Sequence, residues 1–127
     1  MHPYTIEFEC SYKELWRYNI TITGGVFNHG TKEEFISYSD EVAPVGSKLS
    51  SPPKGYSPSR DICLTTASGD SLTLYIYVVP NTIPMSRVVG DAPTFECLVR
   101  ISHGSDIVYH KIHNINQWSG DNIEIKL

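Results

Sequence analysis

Leu72-Thr73-Leu74-Tyr75-Ile76-Tyr77-Val78-Val79 is the stretch that decides the fold of this chain. Most of its aliphatic residues stand on alternate positions, which is the pattern of a β-strand, because successive side chains point to opposite faces. The second face carries Tyr75 and Tyr77, so the strand is apolar or aromatic on both sides. Residues 62–66 form another strand-like run. The polar sequence Ala67–Asp70 between the two runs predicts a β-hairpin over Asp61–Val79.

The same alternation recurs along the chain and predicts further strands. Gly24-Gly25 is expected to end the second strand, and Ser102–Asp106 is expected to join two strands in a second hairpin. Residues 35–38 also allow a short helix, but few helix-forming residues surround them, which favours a strand. The predicted strands are 4–10, 16–23, 35–38, 62–66, 72–79, 94–101, 107–112 and 122–127, with a short edge strand at 85–89.

A series of about seven or eight short strands, with at most one or two short helical turns, is typical of an all-β fold. We therefore predict an antiparallel β-sandwich, with a small β-barrel as the alternative. The chain of 127 residues is expected to form a single domain over residues 1–127. Its Pro-, Ser- and Gly-rich stretch 40–60 is expected to be a long loop, either a crossover between two sheets or a functional or mobile segment that supplies some of the partner contacts.

Composition and charge argue against several classes of function. The formal net charge is −4 and the basic residues are scattered, whereas nucleic-acid binding needs clustered Lys and Arg. No apolar run approaches the roughly 20 residues that span a bilayer, so no membrane partner is predicted. The first residues have no signal-peptide pattern. An odd number of cysteines, 3, fits a reducing compartment, so we predict a cytoplasmic protein with reduced thiols.

The cysteines differ in the surroundings that the pattern predicts for them. Cys10 and Cys97 are in phase with apolar neighbours and are expected in the core, where a thiol behaves as a small hydrophobic group. Cys63 is out of phase with its apolar neighbours and is expected on the opposite face of its strand. One disulfide with one remaining thiol is the alternative.

The sequence offers no catalytic or metal-binding pattern. It contains neither Gly-x-Ser-x-Gly nor a phosphate-binding glycine loop. His110 and His113 could suggest a metal pair, but residues three apart in a strand point to opposite faces, so one ion could not take both. Loop acids such as Asp70 and Asp106 are not clustered in sequence as a calcium site requires. We therefore predict no catalytic residue, no metal and no cofactor.

Aromatic residues are the strongest candidates for function. Tyr75 and Tyr77 lie opposite the aliphatic face of their strand, and Tyr109 would join them if the two hairpins are adjacent. Either cross-strand pairs cover this face, or it is an exposed platform for a partner. Trp118 lies in a polar loop and is the best single candidate for a contact residue, whereas Trp16 is expected in the core. The predicted partner-binding residues are Tyr75, Tyr77, Tyr109, Asn116, Trp118 and Asp121.

These features favour a non-enzymatic intracellular binding module that acts by protein–protein contact, of the toxin-neutralising (immunity) or secretion-adaptor type. Its acidic side chains would steer a basic partner protein. An open sheet edge would allow a homodimer. A carbohydrate-binding, lectin-like sandwich is the first alternative function. A small hydrolase is the second, although the pattern identifies no acid–base pair for it.

Overall fold

The computed structural model describes residues 2–12, 14–48, 51–54, 59–82, 94–117 and 119–127. Within them, one 3₁₀ turn, Leu15–Arg17, accompanies eight strands, which confirms the all-β prediction. The predicted edge strand at 85–89 lies outside the described residues. The strands are β1 (His2–Ser11), β2 (Tyr18–Asn28), β3 (Thr31–Asp40), β4 (Ser59–Gly69), β5 (Ser71–Pro80), β6 (Thr94–His103), β7 (Asp106–Asn116) and β8 (Asp121–Lys126).

The strands form two antiparallel sheets of four strands each. Sheet I has the order β4-β1-β6-β7, and sheet II has the order β3-β2-β5-β8. The two sheets have separate edges and share one buried cluster of apolar side chains. The sandwich prediction is therefore confirmed, and the barrel alternative is wrong. No helix among the described residues is long and apolar enough to cross a membrane.

The core consists of the inward-facing residues of both sheets. Because these residues occupy alternate positions of each strand, the period of two in the sequence is what places them together. Burial of each large aliphatic side chain contributes about 1.5–3 kcal/mol relative to exposure. The residues with no exposed surface include Ile6, Phe8, Val99 and Ile101 of sheet I, and Ile22, Leu74 and Ile76 of sheet II.

The predicted hairpin over Asp61–Val79 is wrong, although both of its strands exist. β4 pairs with β1 in sheet I, whereas β5 pairs with β2 and β8 in sheet II. The single residue Asp70 between them therefore links the two sheets, and its amide donates to the Phe27 carbonyl at 2.9 Å. A Cβ at Gly69 would lie 2.4 Å from the Val26 side chain, so the crossing passes too close to β2 for a larger residue.

The second predicted hairpin is confirmed, and the second strand is longer than predicted. β6 and β7 pair along their length through a turn at Gly104. Gly24-Gly25 does not end β2, which continues to Asn28 and pairs on both sides. Gly24 lies so close to β5 that an added Cβ would stand 2.0 Å from the Thr73 carbonyl oxygen. The two glycines thus belong to the strand interior, where close backbone approach is a common reason for glycine.

The long loop runs from the edge of sheet II to the edge of sheet I, as its interpretation as a crossover predicts. It leaves β3 after Asp40 and enters β4 at Ser59. The backbone carbonyl of Asn81 helps to hold the first part of the loop, because it accepts hydrogen bonds from the amides of Gly46 and Ser47 at 3.0 and 2.8 Å. Trp16, predicted in the core, is 3 % exposed.

Candidate binding face

The side of sheet II that faces away from the core carries the two tyrosines that the sequence singles out. Tyr75 and Tyr77 are half-buried, and their ring centroids are 6.5 Å apart with planes inclined by 15°. On β2 their cross-strand neighbours are small, with Thr23 opposite Tyr75 and Thr21 opposite Tyr77. On β8 the neighbours are longer, with Glu124 opposite Tyr75 and Asn122 opposite Tyr77. We call this surface the outer face of sheet II.

A groove crosses this face next to Tyr75. Its floor is one row of residues that pair in register across all four strands: Phe35, Gly25, Thr73 and Lys126. Gly25 has no side chain and Thr73 has a short one, so the middle of the row is low. The cavity above the row is about 830 Å³, a volume in the range of ligand pockets. We call it the aromatic groove.

Three aromatic side chains border the aromatic groove. Phe27 and Tyr75 lie on the rows before and after the floor, and Phe35 stands at the β3 end. Phe35 is 72 % exposed, more than any other large apolar side chain among the described residues. Its position explains the exposure, because its cross-strand neighbour is Gly25, which offers no side chain to cover the ring. Exposed aromatic rings of this kind are enriched at binding surfaces.

Lysine side chains stand at both ends of the aromatic groove. The Lys32 ammonium lies 3.4 Å from the centroid of the Phe35 ring, a cation–π contact. At the other end, the Lys126 ammonium is 3.2 Å from a carboxylate oxygen of Glu124. Neither a carboxylate, an imidazole nor a thiol is among the described residues that line the groove. The charged groups of the described lining are therefore the two ammonium groups, and Glu124, which lies outside the lining, offsets the charge of Lys126.

Acidic residues lie on the opposite side of the molecule. A shallow depression of about 300 Å³ on the outer face of sheet I is lined in part by Glu9, Asp61 and Glu96, beside the apolar Leu98 and Ile112. These residues share one face because they occupy the strand positions between the buried ones. These three carboxylates are thus separated from the tyrosines by the whole core, whereas Glu124 lies opposite Tyr75 on β8.

Tyr109 does not join Tyr75 and Tyr77. It lies on β7 in sheet I, opposite Ile101, on the side that faces the core. The prediction assumed adjacent hairpins, but β5 and β7 belong to different sheets. The Tyr109 hydroxyl is instead 2.7 Å from Nε2 of His113. Burial lowers the pKa of His113 and the Lys111 ammonium lowers it further, whereas Asp121 acts in the opposite direction.

The other predicted contact residues flank the turn between β7 and β8, away from the aromatic groove. Asn116 and Asp121 are exposed at the ends of these strands. Their side chains serve the turn, because Oδ1 of Asn116 accepts from the Ser119 amide at 3.1 Å and Oδ1 of Asp121 accepts from the Asn122 amide at 2.8 Å. Trp118 lies outside the described residues.

The histidines and cysteines take the faces that their strand positions predict. His110 pairs opposite Arg100 and His113 opposite Cys97, so the two imidazoles are on opposite sides of β7. Within the described part of the chain, no group of three or more His, Cys, Asp or Glu could hold a metal ion. Cys10 and Cys97 are buried, with Sγ atoms 2.9 Å apart, and Cys63 is exposed; all are free thiols. Hydrogen bonding to Cys10, together with burial, raises the pKa of Cys97, which disfavours a reactive thiolate.

Sequence reasoning missed the residues that make the groove. Phe27 and Phe35 lie on consecutive strands but Lys126 is far from both in sequence, and their meeting depends on the register of four strands. The one available signal is that Phe35 is out of phase with the buried Ile36, which predicts an outward ring.

No family model matches this chain, and comparison with curated proteins and with solved structures gives no match to either. Any function must therefore be inferred from the residues themselves.

Proposed function

We propose that this protein is a non-catalytic binding module that contacts another protein through the outer face of sheet II. The observation that carries the proposal is the concentration of outward-facing aromatic side chains there: the half-buried Tyr75 and Tyr77, and Phe35, which is 72 % exposed at the end of the aromatic groove. Aromatic rings bury a large area on binding and lose little rotational freedom, which is why they dominate binding energies at interfaces. The rigid strands beneath them need no rearrangement, which lowers the cost of association.

The lining of the aromatic groove supports binding rather than catalysis. Its polar groups are hydroxyls and ammonium groups, such as those of Thr23, Ser37 and Lys32. The described lining contains neither a histidine nor a carboxylate, the side chains most often used for general acid–base catalysis. Hydroxyls and ammonium groups can orient a ligand without reacting with it.

More specifically, we propose a protein of the toxin-neutralising or secretion-adaptor type. Such a protein would use this face to cover the active surface or the export surface of its partner. We also propose a cytoplasmic location, because an odd number of cysteines, 3, fits a reducing compartment. The acidic face of sheet I would direct a basic partner to the other side of the molecule.

Affinity capture from a lysate of the source organism tests the proposed face. The wild-type protein and the double variant Tyr75→Ser/Tyr77→Ser are immobilised in parallel, and retained proteins are quantified by mass spectrometry. Loss of the two rings should reduce retention of a specific partner at least about tenfold, because central aromatic contacts are typical hot spots.

The matched control is Ile107→Ser/Ile112→Ser, which removes two apolar side chains that are 61 % and 55 % exposed on sheet I. This control should retain the same partner as the wild type. Equal retention by the tyrosine variant would show that the face is not the contact surface.

Carbohydrate binding is the second candidate, and one observation favours it. The nearly parallel rings of Tyr75 and Tyr77 lie beside side chains that can hydrogen-bond a sugar, those of Thr21, Thr23 and Asn122 in the same rows. A glycan array separates the two candidates. Saturable glycan binding that Tyr75→Ser/Tyr77→Ser abolishes would favour this alternative, and its absence would leave protein contact as the better proposal.

A further inference from the structure

The floor of the aromatic groove contains a glycine that the backbone does not require. Gly25 does not have a positive φ, so a residue with a side chain could adopt its backbone conformation. A Cβ at Gly25 would meet the Phe27 ring and the Glu34 carbonyl oxygen at 3.4 Å, an ordinary contact distance. Gly24 differs, because its Cβ would collide with the Thr73 carbonyl oxygen at 2.0 Å. Gly25 therefore serves chiefly to keep the groove deep.

The length of the groove fits a short extended peptide. The floor crosses four strands, and neighbouring strands are about 4.8 Å apart, so its ends are about 14 Å apart. An extended chain covers this length with about four residues. The two central floor strands, β2 and β5, pair on both sides, as Gly25 does with Phe35 and Thr73, and a segment that crosses the face of the sheet meets no open strand edge there. A ligand is therefore held by side-chain contacts, not by addition of a strand.

The charges at the ends of the groove select the ligand. Lys32 lies beside Phe35 at the β3 end, and Lys126 lies at the β8 end. The side chains of Lys126 and Glu124 are 67 % and 57 % exposed, so their ion pair is weak and a ligand carboxylate can replace it. With no carboxylate in the described lining, both ends favour an anion.

We propose that the aromatic groove binds a short extended segment of a partner protein. An aromatic or large aliphatic side chain of the segment lies over Gly25, between Phe27 and Tyr75. Carboxylates on either side of it reach Lys32 and Lys126. The inference deepens the proposed protein-binding function and rests on it. In this proposal, an acidic segment of the partner binds the outer face of sheet II, and a basic surface of the same partner would be attracted to the outer face of sheet I.

Selection of a phage-displayed library of random heptapeptides on the immobilised protein tests the ligand class. Clones that bind the wild type are counter-selected on Gly25→Leu, whose side chain fills the floor. We expect enrichment of peptides with an aromatic or large aliphatic residue flanked by Asp or Glu. A synthetic peptide from that set, measured by fluorescence anisotropy, should bind Gly25→Leu at least about tenfold more weakly than the wild type.

Charge reversal supplies the second measurement. Lys32→Glu/Lys126→Glu should weaken binding of the acidic peptide at least about tenfold and reverse its dependence on salt, because added salt then screens a repulsion. Gly25→Ala, which adds one methyl group at an ordinary contact distance, controls for folding and should give an intermediate affinity. Far-UV circular dichroism and thermal melting of each variant establish that it is folded.

The outcomes separate this inference from the proposed function. Selected peptides that are neutral or basic, yet lose binding in Tyr75→Ser/Tyr77→Ser, would overturn the acidic ligand and leave the face intact. Binding that neither the tyrosine variant nor Gly25→Leu affects would overturn both. Failure to enrich any sequence over Gly25→Leu would overturn the peptide groove.

Discussion

At the scale of single residues, Asn19 illustrates how one buried amide can hold an irregular segment. Its Nδ2 donates to the Ala43 carbonyl at 2.7 Å, and its Oδ1 accepts from the amides of Val42 and Ala43 at 2.8 and 3.3 Å. Oδ1 also accepts from Nδ2 of Asn81 at 3.1 Å. A buried side chain that satisfies several backbone groups replaces the ladder that a loop lacks.

We expect Asn19→Ala to lower the free energy of unfolding by about 2–4 kcal/mol, because it leaves buried amide and carbonyl groups without their partner. Urea denaturation followed by tryptophan fluorescence measures the loss. The exposed Asn114 provides the control, since Asn114→Ala should stay within about 0.5 kcal/mol of the wild type. A cost for Asn19→Ala below about 1 kcal/mol would mean that the loop is held by other contacts.

At the scale of strands, alternation in the sequence predicts which face of a strand is buried but not which strand it pairs with. The residues of β5 illustrate the success: Leu74 and Ile76 are buried, and Tyr75 is not. β4 illustrates the limit, because its apolar residues could face the core equally well if the strand belonged to either sheet. The crossing to the other sheet passes through Gly69, which lies too close to β2 to carry a side chain. This close approach is visible only in the structure.

The candidate site is predictable to the same extent. The outward direction of Tyr75 and Tyr77 follows from their strand alone, and the structure places both there. The aromatic groove depends on the register that aligns Gly25 with Phe35 and Thr73, which a single sequence does not determine. In the sequence alone, the pair Gly24-Gly25 predicts a turn. Its place inside a strand can be recognised only from the pairing of β2 with β3 and β5.

The two adjacent glycines of β2 provide a matched test of this interpretation. Gly24→Ala should lower the free energy of unfolding by about 3 kcal/mol or more, because its methyl group would collide with the Thr73 carbonyl oxygen. The backbone φ of 153° at this position is also one that residues with a side chain rarely adopt. Gly25→Ala should change it by no more than about 1 kcal/mol in either direction, since alanine fits a strand better than glycine. Urea denaturation of both variants gives the comparison. Equal costs at the two positions would contradict the separate roles assigned to them.

At the scale of the whole molecule, the sandwich separates two chemically different surfaces. The outer face of sheet II is aromatic with lysines at the ends of its groove, and the outer face of sheet I carries the carboxylates of Glu9, Asp61 and Glu96. The formal net charge of −4 therefore describes neither surface by itself. A partner that approaches through long-range attraction and one that docks on aromatic rings would meet different sides of the same chain.

The edges of the sheets decide whether two copies can pair. β7 is an outer strand of sheet I, and it exposes Ile107, Val108 and Ile112. These residues favour the homodimer that the sequence predicts through an open edge. Lys111 opposes it, because this exposed residue pairs opposite Val99 on the side of β7 that faces the core. An inward-pointing charge on an edge strand is a common device against edge-to-edge pairing.

We therefore expect the wild-type chain to be monomeric and Lys111→Val to associate through β7, since the substitution removes the charge and completes an apolar edge. Size-exclusion chromatography with light scattering, at a protein concentration on the order of 100 μM, measures both masses. The control is His110→Val, which places a valine on the other side of β7 and keeps Lys111. This variant should stay monomeric. A wild-type dimer, or a monomeric Lys111→Val, would show that Lys111 does not control the edge.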